Sequence, residues 1–446
     1  GQPRLQIREK MVSVRVQSEI SPLEMIVTSR PDLEFQAMVP DNLERHRVDP
    51  EGRLIENPDY LLFDDLILLS GMQREHDTLT AILAAAVGQP QQLDFRHLLA
   101  TALANPQAVS EAVEGVIGLE REVYGLEPPG ARRIAEVLGG LSGLDLANTL
   151  ISGRLPMSSE TVLRWPAPNT LFARDLGVAL GDRLLLTYAA ETGRRRDMLL
   201  SRLVWSYHPM FGGVDIIDIA DDGPIRPGEG PSATLEGGDV QVLSPQVVLV
   251  GVGLRTTMEA VSRLARRLFE GDVEVVVVCE MPRRRAAMHI DTLFTRIDDD
   301  HCLIYPPLFT QPETIGAQVH LISPTKKTRV KGHLLDALRE AGISLSPVSC
   351  GGDDPVSQAR EQWSDGANAF ALAPGVIVCY ARNERTLIEL NRVGYEVIAP
   401  ETFIRNATLY MAGERRVVIA LPGHELVRGR GGPRCLTMPL RRRLHV

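Results

Sequence analysis

The feature that most constrains the fold is a short pattern of secondary structure that recurs along the chain. Each copy reads as an apolar strand, a turn containing Gly or Asp, a second apolar strand, a helix and a third strand. Copies begin near residues 172, 235, 288 and 368, and the third strand of the fourth copy is predicted in YEVIAP. Pieces near the two ends, EMIVTSR, a helix at 71–87 and RCLTMPL, predict a fifth. Such small units cannot bury both faces of their sheets alone, so we expect them to pack around a common axis.

One region interrupts this pattern. Residues 80–155 contain helical patterns broken by Gly and Pro, which predict an all-helical bundle inserted into the chain. We therefore expect one α/β domain over residues 1–79 and 156–446, with the insertion at 80–155. The Pro- and Gly-rich segment 221–233 is predicted to be a surface loop, because strand patterning resumes directly after it.

Charge and composition exclude several functional classes. The formal net charge of −9 over 446 residues argues against a nucleic-acid partner held by phosphate neutralisation. No apolar run reaches the ~20 residues that span a bilayer, and the first residues lack a secretory signal, so we expect a cytoplasmic protein without membrane contact. The five cysteines have no close pairing, which predicts reduced thiols and neither a zinc site nor a disulfide framework.

Three acidic residues lie at the first strands of successive copies. They are Asp175 in FARD, Glu236 in LEGGDV and Asp291 in MHID. Taken singly, these motifs are more often a surface salt bridge, a hairpin turn and a structural hydrogen-bonded pair. If the strands surround one axis, however, the carboxylates meet in one pocket. Clustered carboxylates favour a cationic ligand, and a planar guanidinium offers them five donors.

Two further residue types complete a hydrolytic site. His289 and Asp291 are two apart on a predicted strand, where alternation would put both side chains on one face, and a histidine there can protonate a leaving group. Cys435 follows the glycine-rich segment RGRGGPR and can supply a nucleophile, since glycine lets the backbone approach a ligand closely. An RNA-binding tract and an inert buried thiol are the alternatives, and the net negative charge and the following strand pattern disfavour the first.

Taken together, these motifs resemble the arginine deiminase family, within the guanidine-modifying superfamily. SEISPLEMIVTSRP resembles the opening strand of that family, PDNLERH resembles its substrate-side loop, and the resemblance continues to the last strand near Leu440. It implies an α/β fold, a five-bladed pseudo-symmetric α/β propeller with an inserted all-helical domain. The stretch at 48–60 looks longer than in typical members.

The resemblance also implies the roles of particular residues. The expected catalytic residues are Cys435, His289, Glu236, Asp175 and Asp291, and the expected substrate-binding residues are Asn169, Phe172, Arg194, Arg255 and Arg430. The three arginines would bind the α-carboxylate end of the substrate. The segment GRRRDM departs from the usual pattern of the family, which leaves the choice between Arg194 and Arg195 open.

The implied activity is the hydrolysis of free L-arginine to citrulline and ammonia through a covalent thiouronium on Cys435, without a metal or organic cofactor. We also expect a homo-oligomer. The thiolate would come either from a depressed cysteine pKa or from the charge of the bound guanidinium. Alternatives are an arginine dihydrolase giving ornithine, an amidinotransferase, a deiminase of a modified arginine, and a non-catalytic arginine-binding protein.

Overall fold

The structure is a computed structural model that describes residues 14–158, 160–225, 232–311 and 317–444. Residues 226–231 of the predicted loop at 221–233 lie outside these ranges, as do the first 13 residues. The strands are β1 (Leu23–Thr28), β2 (His46–Val48), β3 (Leu54–Glu56), β4 (Gln92–Asp94), β5 (Val178–Leu180), β6 (Arg183–Leu185), β7 (Asp215–Ile217), β8 (Val240–Ser244), β9 (Val247–Val252), β10 (Val275–Glu280), β11 (Phe294–Arg296), β12 (His301–Ile304), β13 (Gln318–Ile322), β14 (Lys327–Arg329), β15 (Ser346–Ser349), β16 (Phe370–Ala373), β17 (Val376–Tyr380), β18 (Glu396–Ile398), β19 (Val417–Leu421) and β20 (Met438–Arg442).

The helices alternate with these strands. They are α1 (Leu69–Val87), α2 (Phe95–Ala102), α3 (Pro106–Tyr124), α4 (Pro128–Gly139), α5 (Gly143–Ser152), α6 (Arg195–Tyr207), α7 (Met258–Leu268), α8 (Pro307–Thr310), α9 (Leu334–Glu340), α10 (Pro355–Trp363), α11 (Glu384–Arg392), α12 (Pro400–Arg405) and α13 (Ala407–Met411). Several begin where the sequence supplies a cap. Asp94, Asn105 and Asp354 each accept hydrogen bonds from backbone N–H groups in the first turn of α2, α3 and α10. No helix of the described ranges is long and apolar enough to cross a bilayer.

The strand pairing follows the predicted repeat. Among the described residues, five sheets contain the orders β20-β1-β4, β5-β6-β7, β8-β9-β10, β11-β12-β15 and β16-β17-β19. In each of these orders the middle strand pairs antiparallel with the first strand and parallel with the third. A parallel pair needs a crossover connection, which the intervening helices supply. The fold is therefore α/β.

Two sheets differ from the simple repeat. The fourth copy was expected to use YEVIAP as its third strand, but β18 in that segment pairs with β19, and β19 lies between it and β17. The apolar strand VVIAL of β19 is buried along most of its length, whereas β18 is mostly exposed, so the more apolar strand takes the inner position. A second addition extends β10 by the antiparallel strands β13 and β14.

The helical region begins later than predicted. The α1 helix continues to Val87, and β4 pairs in parallel with β1, so residues 80–94 belong with the sheet and the helical stretch starts at Phe95. One apolar core joins Leu99, Val116 and Leu150 of these helices to Leu184 and Val250 of two sheets. The helices therefore share their core with the sheets, and their status as a separate inserted domain stays a prediction.

Candidate active site

Three short 3-10 turns carry the predicted acidic residues, and each lies directly before the first strand of a sheet. They are Ala173–Asp175, the turn Gly237–Asp239 that follows Glu236, and Ile290–Thr292. The turns touch one another, because the Asp175 carboxylate accepts a hydrogen bond of 2.8 Å from the Gly238 N–H. A Cβ atom on Gly237 would overlap the carbonyl of Arg174, so this close approach requires glycine. Ligand atoms of Asp175 and Glu236, from two successive units, lie within 4.8 Å of each other and of His289, and the expectation that Asp291 joins them in one pocket stays a prediction.

The expectation that His289 and Asp291 share one face of a strand is wrong. The strand β11 starts at Phe294, and His289 immediately precedes the 3-10 turn. The turn sends the two side chains to different partners: His289 reaches Glu236, and Asp291 reaches Arg434. A 3-10 turn has about three residues per turn, so residues two apart do not align as they would in a strand.

Asp175, Glu236 and His289 form what we call the acid–base group, and all three are buried. The Nε2 atom of His289 lies 2.6 Å from a Glu236 carboxylate oxygen. Burial would lower the pKa of His289, but the charges of Asp175 and Asp239 and the hydrogen bond to Glu236 raise it to about 9. His289 is therefore a cation at neutral pH and can donate a proton.

The carboxylates of this group are held ionised by the arginines around them. Burial would raise the pKa of Glu236, yet Arg255 at 3.4 Å and the hydrogen bond from His289 hold it well below its usual range. Burial opposes ionisation of Asp175 as well, and Arg194 at 2.6 Å, with the charge on His289, lowers its pKa. Both acids are thus charged and paired.

Arg194 lies inside the site, and its neighbour does not. Its guanidinium contacts Asp175, Asp197 at 3.3 Å and the carbonyl oxygen of Asn169 at 3.1 Å. Arg195 instead forms an ion pair with Glu122 of α3 at 2.6 Å. The geometry therefore places Arg194 rather than Arg195 at the site. Its contact with a substrate α-carboxylate stays a prediction, because here its donors serve protein oxygens.

Cys435, Asp291 and Asp365 form what we call the nucleophile group. The Cys435 Sγ lies 3.8 Å from a carboxylate oxygen of Asp291, and Arg434 donates to that same oxygen at 2.9 Å. The second carboxylate oxygen of Asp291 is buried and has no hydrogen-bond partner within the described ranges of the chain. An oxygen left in that state is costly, so it is a ready acceptor for a donor from a ligand.

The thiol of Cys435 carries its proton in the free protein. Burial raises its pKa well above the ordinary value, and the negative charges of Asp291, Asp365 and Asp175 raise it further. Of the two sources of thiolate left open by the sequence, a depressed pKa is thus opposed by the structure. The other cysteines, Cys279, Cys302, Cys350 and Cys379, are buried free thiols whose pKa is also raised, in each case mainly by burial.

The remaining predicted residues lie around this centre. The side chain of Asn169 donates to the Leu61 carbonyl at 2.8 Å, and Arg255 reaches Glu236. Phe172 packs so closely on Gly431 that a Cβ atom there would overlap its ring, which fits the expected apolar wall. Gly431 thus serves tight packing, in addition to any motion of the loop.

Arg430 is not brought to the acid–base group. It is half-buried, its guanidinium stacks 3.8 Å from the ring centroid of Trp363, and it donates to Asp64 at 3.2 Å. Burial lowers its pKa, and Asp64 and Asp365 oppose that change. The structure therefore places Arg430 at the rim of the site, on the side of the nucleophile group.

Sequence reasoning missed two buried acids at the site. Asp239 lies within the EGGD motif and accepts from the Ile290 N–H at 2.9 Å, so the motif itself could have indicated it. Burial raises the pKa of Asp239 to about 7. Asp365 lies in SDGAN, where nothing in the sequence marked it. Burial and the Asp291 charge raise its pKa to about 8, so it is mostly uncharged at neutral pH.

The acid–base group also has the ligand types of a metal site. One ligand atom from each of Asp175, Glu236 and His289 lies within 4.8 Å of the others. Arg194 and Arg255, however, already pair with the two carboxylates. A divalent cation would have to displace these guanidinium groups, so the charges favour an organic ligand over a metal ion.

The sequence of the chain is similar to those of known proteins. The sequence profile described as arginine deiminase matches residues 154–442. An arginine deiminase from Mycobacterium marinum is 32% identical over 95% of this chain and 97% of its own length. One from Bacillus cereus is 30% identical over 96% and 98%. The chain belongs to the arginine deiminase family.

The fold also has a match among solved structures. SxtG, an amidinotransferase from Microseira wollei in the saxitoxin biosynthetic pathway, superposes on 97% of this chain and 98% of its own with a TM-score of 0.50. The identity is 12%, so the likeness concerns the fold alone. A family member at this distance still requires its chemistry to be argued from its own residues.

Proposed function

We propose that this arginine deiminase family member hydrolyses the guanidinium group of free L-arginine to citrulline and ammonia. The observation that carries the proposal is the nucleophile group, in which a protonated Cys435 lies 3.8 Å from Asp291 and Asp291 keeps one buried oxygen free. Arg434 pairs with one oxygen of Asp291, and among the described residues no donor reaches the other oxygen. A substrate guanidinium supplies that missing donor together with a second positive charge.

Substrate binding then activates the nucleophile. The guanidinium donates to Asp291 on one side and to Asp175 of the acid–base group on the other. Its positive charge lies beside Cys435, where it favours the thiolate that the free protein disfavours. Cys435 releases its proton to solvent on binding, because His289 is already protonated, so activation is coupled to the presence of a cationic substrate.

The covalent steps follow from the two groups together. The Cys435 thiolate attacks the guanidinium carbon, and the protonated His289 donates its proton to the departing nitrogen, which leaves as ammonia. The neutral His289, held by Glu236, then takes a proton from water as that water attacks the thiouronium carbon. Collapse of the adduct then breaks the carbon–sulfur bond and releases citrulline. The hydroxyl proton of the adduct passes to the departing Cys435 thiolate, which restores the thiol.

We also propose the full architecture, a five-bladed α/β propeller with an inserted helical bundle. Five sheets with the same pairing order support it. A series of hydrogen bonds between neighbouring units supports closure of the ring. Asp175 accepts from Gly238, and Asp239 accepts from Ile290. Asn368 donates to Asp291 and accepts from Cys435, whose carbonyl accepts from Arg174. This series returns to the turn where it began, as a ring requires.

The setting in the cell is likewise a proposal. We propose a cytoplasmic protein, supported by five cysteines that are all free thiols. The homo-oligomer stays a prediction, which light scattering on the purified protein would test.

The test of the activity is incubation with L-arginine and identification of the products by mass. Citrulline with one equivalent of ammonia is expected. Ornithine with two equivalents would indicate a dihydrolase, and transfer of the amidino group to an added amine would indicate an amidinotransferase. Arginine binding without turnover would indicate a binding protein and contradict the proposal.

The choice of substrate has its own test. Arg255 and Arg430 come from different units and are assigned to the α-carboxylate of the substrate. Agmatine keeps the guanidinium but lacks that carboxylate. Each charge-assisted contact is worth roughly 1.5 to 3 kcal/mol, so the loss of two predicts a kcat/KM for agmatine lower by at least roughly 100-fold. Comparable rates of citrulline and carbamoylputrescine formation would show that Arg255 and Arg430 do not bind the α-carboxylate.

A further inference from the structure

One buried amide connects the two loops that carry the reaction. Asn368 lies just before β16, and its side chain is 1% exposed. Its Nδ2 donates to the carbonyl oxygen of Asp291 at 3.0 Å. Its Oδ1 accepts from the backbone N–H of Arg434 at 3.0 Å and from that of Cys435 at 3.3 Å. One side chain therefore holds the backbone of both members of the Cys435–Asp291 contact.

The loop that carries Cys435 packs tightly against the Asn368 side chain. A Cβ atom on Gly432 would lie 2.5 Å from the Asn368 Oδ1, so the cysteine loop approaches the amide as closely as glycine permits. The loop also follows Arg430, whose φ of 63° lies in the left-handed region that disfavours most side chains. A strained, closely packed loop needs fixed partners to keep one conformation.

An amide at position 368 meets requirements that a carboxylate would not. At the corresponding place in two other units, Asp175 and Asp239 use carboxylates to accept from the backbone of the next unit. Asn368 does the same for Cys435, but it also donates to Asp291, which a carboxylate cannot do. It adds no negative charge beside a thiol whose pKa is already raised by Asp291, Asp365 and Asp175. An amide meets both requirements.

We propose that Asn368 is a positioning residue for the nucleophile, which fixes the backbone of Cys435 relative to Asp291 and so sets the direction of the attacking sulfur. The proposal rests on the proposed function of Cys435. It assigns no contact with the substrate to Asn368. Its loss should therefore reduce turnover far more than substrate binding.

The test compares Asn368→Ala with Asn368→Asp and with a matched control, Gln358→Ala. Gln358 is a buried amide of α10, and its side chain donates to the Gly352 carbonyl at 2.7 Å rather than to either catalytic loop. Asn368→Ala should lower kcat by about 100-fold, the cost of a misplaced reacting group, with KM changed less than threefold. Gln358→Ala should lose a similar amount of stability to urea and keep its kcat.

A second readout does not depend on turnover. The rate at which iodoacetamide alkylates Cys435 is followed against pH, with the adduct located by peptide mass mapping. Asn368→Asp keeps the acceptor but adds charge beside the thiol and removes the donor to Asp291. Its alkylation profile should therefore move to higher pH, while Gln358→Ala should follow the wild type.

The outcomes separate the two proposals. If the wild type forms no citrulline, the proposed function fails, and the alkylation profiles still decide whether Asn368 positions Cys435. If the wild type is active and Asn368→Ala keeps its kcat and its alkylation profile, the positioning role is overturned. An equal loss of kcat in Gln358→Ala would also overturn it. If Asn368→Ala does not fold, Asn368→Asp decides through its alkylation profile.

Discussion

The acid–base group and the nucleophile group both contain buried carboxylates, but they differ in how completely those carboxylates are paired. Asp175 and Glu236 each have a guanidinium partner within 3.4 Å, and His289 beside them is a cation. In the nucleophile group Arg434 pairs with one oxygen of Asp291, the other oxygen has no partner among the described residues, and the pKa values of Asp365 and Cys435 are raised. Every carboxylate oxygen of the first group therefore has a partner, whereas one of the second does not.

This difference shows which part of the site the substrate must supply. Burial penalises charge, so a buried group either acquires a counter-ion or stays neutral. The protein provides counter-ions for the acid–base group through Arg194 and Arg255. In the nucleophile group Arg434 serves one oxygen of Asp291, and among the described residues no donor serves the other oxygen, which favours a positively charged ligand that donates hydrogen bonds. The predictions that follow test this contrast.

The largest effect is expected at the nucleophile. Cys435→Ser should lower kcat by at least roughly 10⁴-fold, because a nucleophile and the groups that activate it act as a unit. The control is Cys302→Ala, a buried thiol of β12 outside both groups, which should keep its kcat. Citrulline formation is measured for both. A Cys435→Ser variant with normal turnover would leave the nucleophile group without a function.

The Asn variants of the two predicted guanidinium-binding carboxylates should lose different amounts of stability. Removing one buried member of a charge pair costs on the order of 2 to 5 kcal/mol, so Asp175→Asn and Asp291→Asn should each lower kcat/KM by roughly 30-fold or more.

The urea midpoint distinguishes them. Asp175→Asn should lower it further, since Arg194 loses its partner at 2.6 Å and keeps Asp197 at 3.3 Å and Glu236 at 3.9 Å, whereas Arg434 keeps Glu19 at 3.0 Å after Asp291→Asn. Equal losses of stability would mean that the acid–base group is no better compensated than the nucleophile group.

The smallest effect is expected at Asp365. Its pKa of about 8 means that the carboxyl is neutral below that pH and negative above it. The negative form opposes the Cys435 thiolate, so Asp365→Asn should speed alkylation of Cys435 several-fold at pH 9 and leave it unchanged at pH 7. Arg430, which faces Asp365, stays charged over this range. The same change in rate at both pH values would assign the effect to altered packing.

The site residues could be predicted from the sequence more completely than their local structure. Asp175, Glu236 and His289 were identified through motifs at the starts of successive repeats, and the structure brings them within 4.8 Å. The same repeat suggested that His289 and Asp291 lie on a strand, but Asp291 lies on a 3-10 turn and His289 directly precedes it. Periodicity over three or four residues does not distinguish an extended segment from a tight turn.

Asp365 and Asn368 could not have been predicted from local pattern. Their importance depends on Asp291 and on the backbone of Cys435, which lie about 70 residues away on either side. The ion pairs of Arg194 with Asp175 and Asp197 could not be predicted either, because the motifs indicated only that Arg194 lies near the site.

The sequence by itself determined the repeated strand–helix unit, the α/β class and the chemical types gathered at the site. These follow from local periodicity and from residue identity, both of which are written in the order of the amino acids. The tertiary structure alone decided which carboxylates are paired, which thiol keeps its proton and which amide holds the cysteine loop. Burial and charge pairing set these states, and both depend on neighbours that only folding brings together.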